Sequence, residues 1–238
     1  HRLMKRMGSR GSGIEKFSYN AIRLAMEELS VNVKKIYEQG LDISPEDRGR
    51  MLFELLEIKF EGEEAQQLYK EAGRTLSNSG YYSRYPNLNP EVKPALKELR
   101  ESFPKLKIGL ISNAARSTKT YWRMFRFFGI ADYFDSLTIS SEVGFLKPRK
   151  EIFKRSLESL NVKPRQALHV GDLFKADIVG ATSSGMNAAL YSGLWHKYAK
   201  YMNPGERIPE DFKLGDKRLL VKEISNLGET IDLVRQLA

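Results

Sequence analysis

Two carboxylates five positions apart, Asp172 and Asp177, follow a short apolar run formed by Ala167, Leu168 and Val170. Such a run suits a buried parallel strand, and Gly171-Asp172 ends it abruptly, leaving Asp172 at the strand's carboxyl end. Ligands bind at that edge of open α/β sheets, where loops form a crevice and the following helices present their positive N-termini. Asp177, at the start of the next helix, would face the same mouth, and paired carboxylate oxygens suit a hard cation such as Mg²⁺. Helix capping by the two Asp is the equal alternative from this stretch alone. Upstream, Ser112-Asn113 closes a second apolar run over residues 108–111. A hydroxyl there, with the N-terminal amides of the next helix, could hold an anionic oxygen, although Ser112 taken singly reads more simply as a helix cap. Lys147, before Pro148 in a loop that precedes a helix, could neutralise a phosphate oxygen and the charge that builds during phosphoryl transfer. A lone Lys before Pro is ordinarily just exposed. The order and spacing of the three signals together are much harder to obtain by chance.

Alternating elements must position these residues. After Pro90 the sequence predicts a helix over 91–103, a strand over 108–111, a helix over 117–128, a strand over 137–139 and a helix over 150–160. A strand over 167–170, a helix over 176–185, strands over 188–191 and 219–221, and a final helix over 224–237 complete the series. Strands alternating with helices argue for an α/β, doubly wound parallel sheet. Before Pro90 the pattern is helical only: residues 14–32, with Ile14, Phe17, Ala21, Leu24 and Ala25 at helical spacing, then Ser44 and Pro45 opening a helix to about Phe60, then residues 62–76. The expected organisation is a basic arm over 1–13, a helical domain over 14–85 and an α/β core over 86–238.

The 238 residues suffice for one substantial core and a smaller second domain. With no Cys, disulfides and thiolate zinc sites are excluded, and a reducing, cytoplasmic setting is expected. No apolar run has the length of a membrane span, and no signal peptide is expected. The net charge of +9 favours anionic partners. Part of it is local, because Arg2, Lys5, Arg6, Arg10 and Lys16 face only Glu15 near the start. A solvated basic end explains that arm more simply than nucleic-acid binding, and a small phosphorylated substrate would also welcome the field.

The series Ser112 in Leu-Ile-Ser-Asn, Lys147 in Phe-Leu-Lys-Pro, and Gly171-Asp172 with Asp177 resembles the second, third and fourth motifs of the haloacid dehalogenase superfamily of hydrolases, mostly magnesium-dependent phosphatases. The resemblance covers residues 90–191. It implies that Ser112, Asn113 and Lys147 hold the substrate phosphoryl group, that Asp172 is a Mg²⁺ ligand, and that Asp177 supports the metal shell or positions Lys147. It further implies that the helical region is a cap inserted after the first motif. Dehalogenases of the superfamily usually carry Ser-Ser-Asn at the fourth motif, so Gly171-Asp172 fits the metal-using phosphatases better.

The superfamily's first motif, Asp-x-Asp-x-Thr at a strand end, is absent. Its first Asp is the nucleophile and its second the general acid and base. Asp132-Tyr-Phe-Asp135 has the wrong spacing and follows no buried strand, and no Asp precedes Asp42. In the superfamily's fold the strand bearing that motif lies between those that carry Ser112 and Asp172, so its loss implies two open inner edges. The first expectation is therefore a phosphatase whose nucleophile segment precedes His1. The alternatives are a degenerate binding or interaction protein that keeps the phosphate-holding shell, and a dehalogenase. Substrate and oligomeric state stay open.

Overall fold

The computed structural model of this chain describes residues 13–60, 62–77, 88–193 and 206–237. The expected basic arm, apart from Gly13, and most of the loop between residues 78 and 90 lie outside the described residues. Segments 1–86, 113–120 and 139–146 cluster as one compact unit, and segments 87–112, 121–138 and 147–238 as a second.

In the first unit a 3₁₀ turn at Ile14–Lys16 leads to helices α1 (Tyr19–Glu38), α2 (Pro45–Leu55) and α3 (Glu63–Ser77). The single helix expected over 14–32 is thus broken, because the Ser18 hydroxyl accepts from the Ala21 N–H at 3.2 Å and starts a new helical phase. In that phase Ile22, Ala25, Leu29 and Val33 reach the core, while Leu24, expected on the apolar face, is 56% exposed. Ser44 caps α2 by accepting from the Asp47 N–H at 3.0 Å. That helix stops short of Phe60 where Glu57 turns left-handed at φ 56°. Phe60 then folds back, its ring edge-on to the fully buried Phe53 with centroids 4.9 Å apart.

From Val92 the chain runs α4 (Val92–Ser102), β1 (Gly109–Ser112), α5 (Thr118–Phe128), β2 (Ser136–Ile139), α6 (Ser140–Val143) and α7 (Lys150–Leu160). It continues through β3 (Leu168–Gly171), a π-helical turn (Phe174–Val179), α8 (Gly180–Ser183), β4 (Asn187–Tyr191), β5 (Val221–Ile224) and α9 (Glu229–Leu237). This is the expected α/β alternation, and β3, β4 and β5 are parallel, with Leu168 opposite Asn187 and Ala188 opposite Val221. Buried along its whole length, β4 has the character of a strand covered on both faces. Three boundaries differ from expectation. The helix expected over 176–185 is a π-turn that passes into the short α8. β5 begins two residues later than expected, and Ile224 pairs with Tyr191 instead of opening a helix. α9 starts only at Glu229, whose carboxylate accepts from the Ser225 and Asn226 N–H groups at 2.9 and 3.0 Å.

The sheet is in two parts. β1 pairs with β2, β3 pairs with β4, and no pairing joins β1 to β3. An apolar cavity of about 750 Å³ lies there, lined by residues 109–111 of β1, residues 167–170 and apolar side chains that include Leu96, Leu99 and Leu157. No helix among the described residues is long and apolar enough to cross a membrane.

Helices α2 and α3 meet backbone to backbone at two glycines. A Cβ on Gly73 would fall 1.4 Å from the Pro45 carbonyl oxygen, and one on Gly49 would fall 1.8 Å from that of Tyr69. No rotamer relieves a clash with main chain. Gly73→Ala is therefore expected to destabilise the helical unit by at least about 1–3 kcal/mol, read as a lower denaturant midpoint. Gly215→Ala, where a Cβ would meet nothing within 4 Å, serves as the control and should leave the midpoint unchanged.

Candidate active site

The apolar residues of β3 carry the chain to Gly171, and the π-turn beyond it returns Asp177 beneath the strand end. Asp177 is 1% exposed, so both of its oxygens need donors. Oδ1 accepts from Lys147 Nζ at 2.6 Å and from His169 Nε2 at 2.9 Å, and Oδ2 accepts from the Leu173 N–H at 3.0 Å. Because an ionised carboxylate can only accept, His169 must carry its proton on Nε2. Lys147 Nζ also donates to the Ile111 carbonyl at 3.3 Å, next to Ser112 in β1. The Ser112 hydroxyl lies 3.1 Å from that of Tyr121 on α5.

The electrostatics separate the two Asp residues. Burial would raise the pKa of Asp177, but the His169 hydrogen bond and the Lys147 charge outweigh it and hold that carboxyl well below the usual range. Asp172 lies at the exposed lip. Protein atoms still crowd its carboxyl, and that partial burial together with the Asp177 charge pushes its pKa up. Burial lowers the His169 pKa, and the neighbouring Lys147 charge adds to this against the opposing Asp177 bond, so the imidazole stays neutral near pH 7.

The structure therefore brings Lys147 and Asp177 into direct contact and sets Asp172 one residue past the end of β3. Ser112 ends β1 six residues before α5 begins, so it does not cap that helix. Asn113 is exposed. The first amide of α5, expected to be available to an anion, is committed: Thr118 N–H donates to Glu142 Oε1 at 2.8 Å. Sequence reasoning passed over His169. The available signal was a polar side chain inside an otherwise apolar strand, eight residues before Asp177.

Of the two carboxylates, Asp172 is the one more open to a divalent cation. Asp172 is an exposed residue whose partly buried carboxyl sits where its negative charge is disfavoured, a burden a cation would lift. The oxygens of Asp177 are taken by three donors. Among the described residues no group of three His, Cys, Asp or Glu side chains could hold a metal. Remaining oxygens around such a cation would have to come from water, substrate or another segment, as is usual for Mg²⁺.

The chain belongs to the haloacid dehalogenase-like hydrolases, whose family model matches residues 5–185. Among curated proteins it is 40% identical over 101 residues to a glyceraldehyde 3-phosphate phosphatase of Methanothermobacter thermautotrophicus, covering 42% of this chain and 43% of that one. A second glyceraldehyde 3-phosphate phosphatase, from Methanopyrus kandleri, is 32% identical over 63% of this chain and 57% of its own length. The chain thus spans about half the length of these curated relatives. Of solved structures, a 2-haloacid dehalogenase from Pseudomonas syringae superposes with a TM-score of 0.59 over 99% of this chain and 89% of that one, at 23% identity, a likeness of fold.

Two outcomes follow from this geometry. A Cβ on Gly171 would sit 2.2 Å from Asp177 Cγ, so Gly171→Ala must displace the carboxylate from its donors. A loss of about 3–5 kcal/mol is expected from breaking a buried ion pair, measured by chemical denaturation. The second concerns pH. With its folded pKa lowered, His169 binds a proton more readily in the unfolded chain, so stability falls as pH drops below about 6.5, the ordinary imidazole value. The contribution of Asp177 is present above the ordinary carboxyl value of about 4 and is lost only further down, as pH falls through its depressed folded pKa. Melting temperature should therefore decline between pH 7 and 5. His169→Gln, which keeps an N–H donor that does not titrate, should flatten that slope.

Proposed function

We propose that the chain acts in the phosphatase branch of its family, hydrolysing a small phosphate ester with Mg²⁺ through an aspartyl-phosphate intermediate. The observation that carries this reading is the contrast at the β3 end: a buried Asp177 with donors on both oxygens anchors Lys147, while Asp172 remains exposed with a carboxyl environment suited to a cation. Similarity to the two glyceraldehyde 3-phosphate phosphatases supports phosphate esters as the substrate class.

In this reading Lys147 and the Ser112 hydroxyl hold the phosphoryl oxygens and Asn113 flanks them, with the lysine charge offsetting the charge that develops in flight. Bound at Asp172, Mg²⁺ would supply further neutralisation of the phosphoryl group. Attack needs a carboxylate in line with the scissile P–O bond. The gap between β1 and β3 supports a strand seated there, its carboxyl end beside Ser112 and Asp172, as the source of the nucleophile. The phosphoryl group would pass to that Asp with departure of the alcohol, and water would then cleave the acyl phosphate to return carboxylate and phosphate. The absence of cysteine suits a cytoplasmic setting.

A second reading rests on the Lys147, His169 and Asp177 cluster, which is assembled by this chain's own residues: the same shell binds a phosphorylated ligand without turnover. Phosphate release from a panel of phosphate monoesters, with and without Mg²⁺, decides between them for the protein isolated from its native source, with its intact mass compared with 27.3 kDa. In an active form Asp172→Asn should abolish metal-dependent turnover, and Lys147→Ala should lower it by about a hundredfold or more, the usual cost of removing one charge-stabilising donor. Near-normal turnover in either variant would sink the assignment of these two residues. Binding of orthophosphate without turnover would select the second reading.

A further inference from the structure

We propose that Asp42, in the loop between α1 and α2, is a positioning residue that fixes the chain segments adjoining Ser112 and Lys147. Its consequence for ligand binding rests on the phosphate-site reading above, whereas its structural part does not. Acids in short helix–helix loops are ordinarily solvated, yet the Asp42 side chain is 1% exposed. Withdrawing a carboxylate so far from water is costly unless each oxygen finds donors. Oδ1 accepts from the Ile43 N–H at 2.8 Å and from Arg48 at 3.4 Å, and Oδ2 accepts from the Ser140 hydroxyl at 2.6 Å. Arg48 is itself steadied by a 2.7 Å bond to the Tyr37 hydroxyl.

The Ser140 bond gives the cluster its reach. Ser140 is wholly buried at the start of α6, and with its one proton turned to Asp42 its lone pairs face the Ala114 N–H, 2.8 Å away. The Ala114 carbonyl is also near Ser140 Oγ, but at 3.4 Å it is the weaker contact. Ala114 to Ser140 to Asp42 is therefore a relay with one direction, ending on the carboxylate. Ala114 stands two residues after Ser112. The backbone of the same loop makes a second attachment: Asp42 N–H donates to the Gly144 carbonyl at 3.0 Å, Leu146 N–H donates to the Gly40 carbonyl at 2.9 Å, and Leu41 bridges Phe145 in antiparallel fashion. Leu146 immediately precedes Lys147. An ion pair serving the helices alone would bond within them, but the short bonds of this loop go to the two segments that lead into the anion-holding residues.

Amide hydrogen exchange and orthovanadate affinity, both measured on the full chain with Mg²⁺ present, test the proposal. Asp42→Ala and Ser140→Ala should each speed exchange at Ala114 by about tenfold or more, the loss of one buried hydrogen bond, while Leu52 in α2 stays protected. Asp42→Asn, which retains an acceptor for Ser140, should restore most of the protection. Orthovanadate affinity should fall with Asp42→Ala and recover with Asp42→Asn. Unchanged Ala114 exchange in Ser140→Ala overturns the proposal, and that variant decides the matter if Asp42→Ala does not fold. Faster exchange with undiminished orthovanadate affinity also overturns it, since the cluster would then be structural only. A wild-type chain that binds no orthovanadate defeats the phosphate-site reading and removes the ligand-binding consequence, while Ala114 exchange still decides the relay.

Discussion

A carboxylate withdrawn from water must be matched oxygen by oxygen with donors, and Asp177 imposes that requirement on the end of β3. Three segments answer it: the loop before α7 with Lys147, the strand itself with His169, and the residue leading into the π-turn with the Leu173 amide. The extra residue per turn in a π-turn is a local irregularity of the kind found at functional sites. Here it accompanies a carboxylate turned back beneath its own strand. The same crowding leaves no room for a Cβ at position 171, so the glycine in Gly171-Asp172 is required by packing against Asp177 before any question of ligand arises.

The divided sheet is the second constraint. Buried backbone groups that lack partners cost about 1–3 kcal/mol each, and among the described residues no strand lies between β1 and β3. Part of the deficit is met locally, since the Ile111 carbonyl accepts from Lys147. The remaining space is apolar and lies among the helices that cover the sheet. A segment seated there would gain both ladder hydrogen bonds and apolar burial. The gap in the sheet and the source of a nucleophile in the proposed reaction are therefore one structural question.

Much of this was legible in the sequence, and the losses have identifiable causes. Helix α7 begins and ends where its apolar spacing predicts, and Asn161 closes it in the left-handed conformation at φ 54°. β4 reads clearly because a strand buried on both faces is a continuous apolar run. The first helix was misphased because Ser18, with its capping hydroxyl, lies inside an apparently continuous pattern. β5 was misplaced because Leu219-Leu-Val221 looks more apolar than Val221–Ile224, whose Lys222 and Glu223 are exposed. Motif order singled out Ser112, Lys147, Asp172 and Asp177, of which the structure brings Lys147 and Asp177 into direct contact. Nothing local could reveal that Asp42 meets Ser140, 98 residues away, because a loop acid reads as solvated until the segment that buries it is in place.

Asp172 and Asp177 show why residue type alone cannot assign chemistry. Five positions apart and identical in composition, they are driven in opposite directions by their surroundings: three donors hold one ionised, while partial burial and its neighbour's charge strain the other. With Oδ1 accepting two hydrogen bonds and Oδ2 one, the buried Asp177 carboxylate is held chiefly by Lys147, His169 and the Leu173 amide. A partly buried carboxylate beside a like charge gains from a neighbouring cation. In the proposed phosphatase reading the cation-facing role would fall to Asp172, with the Asp177–Lys147 pair acting on it through geometry and charge.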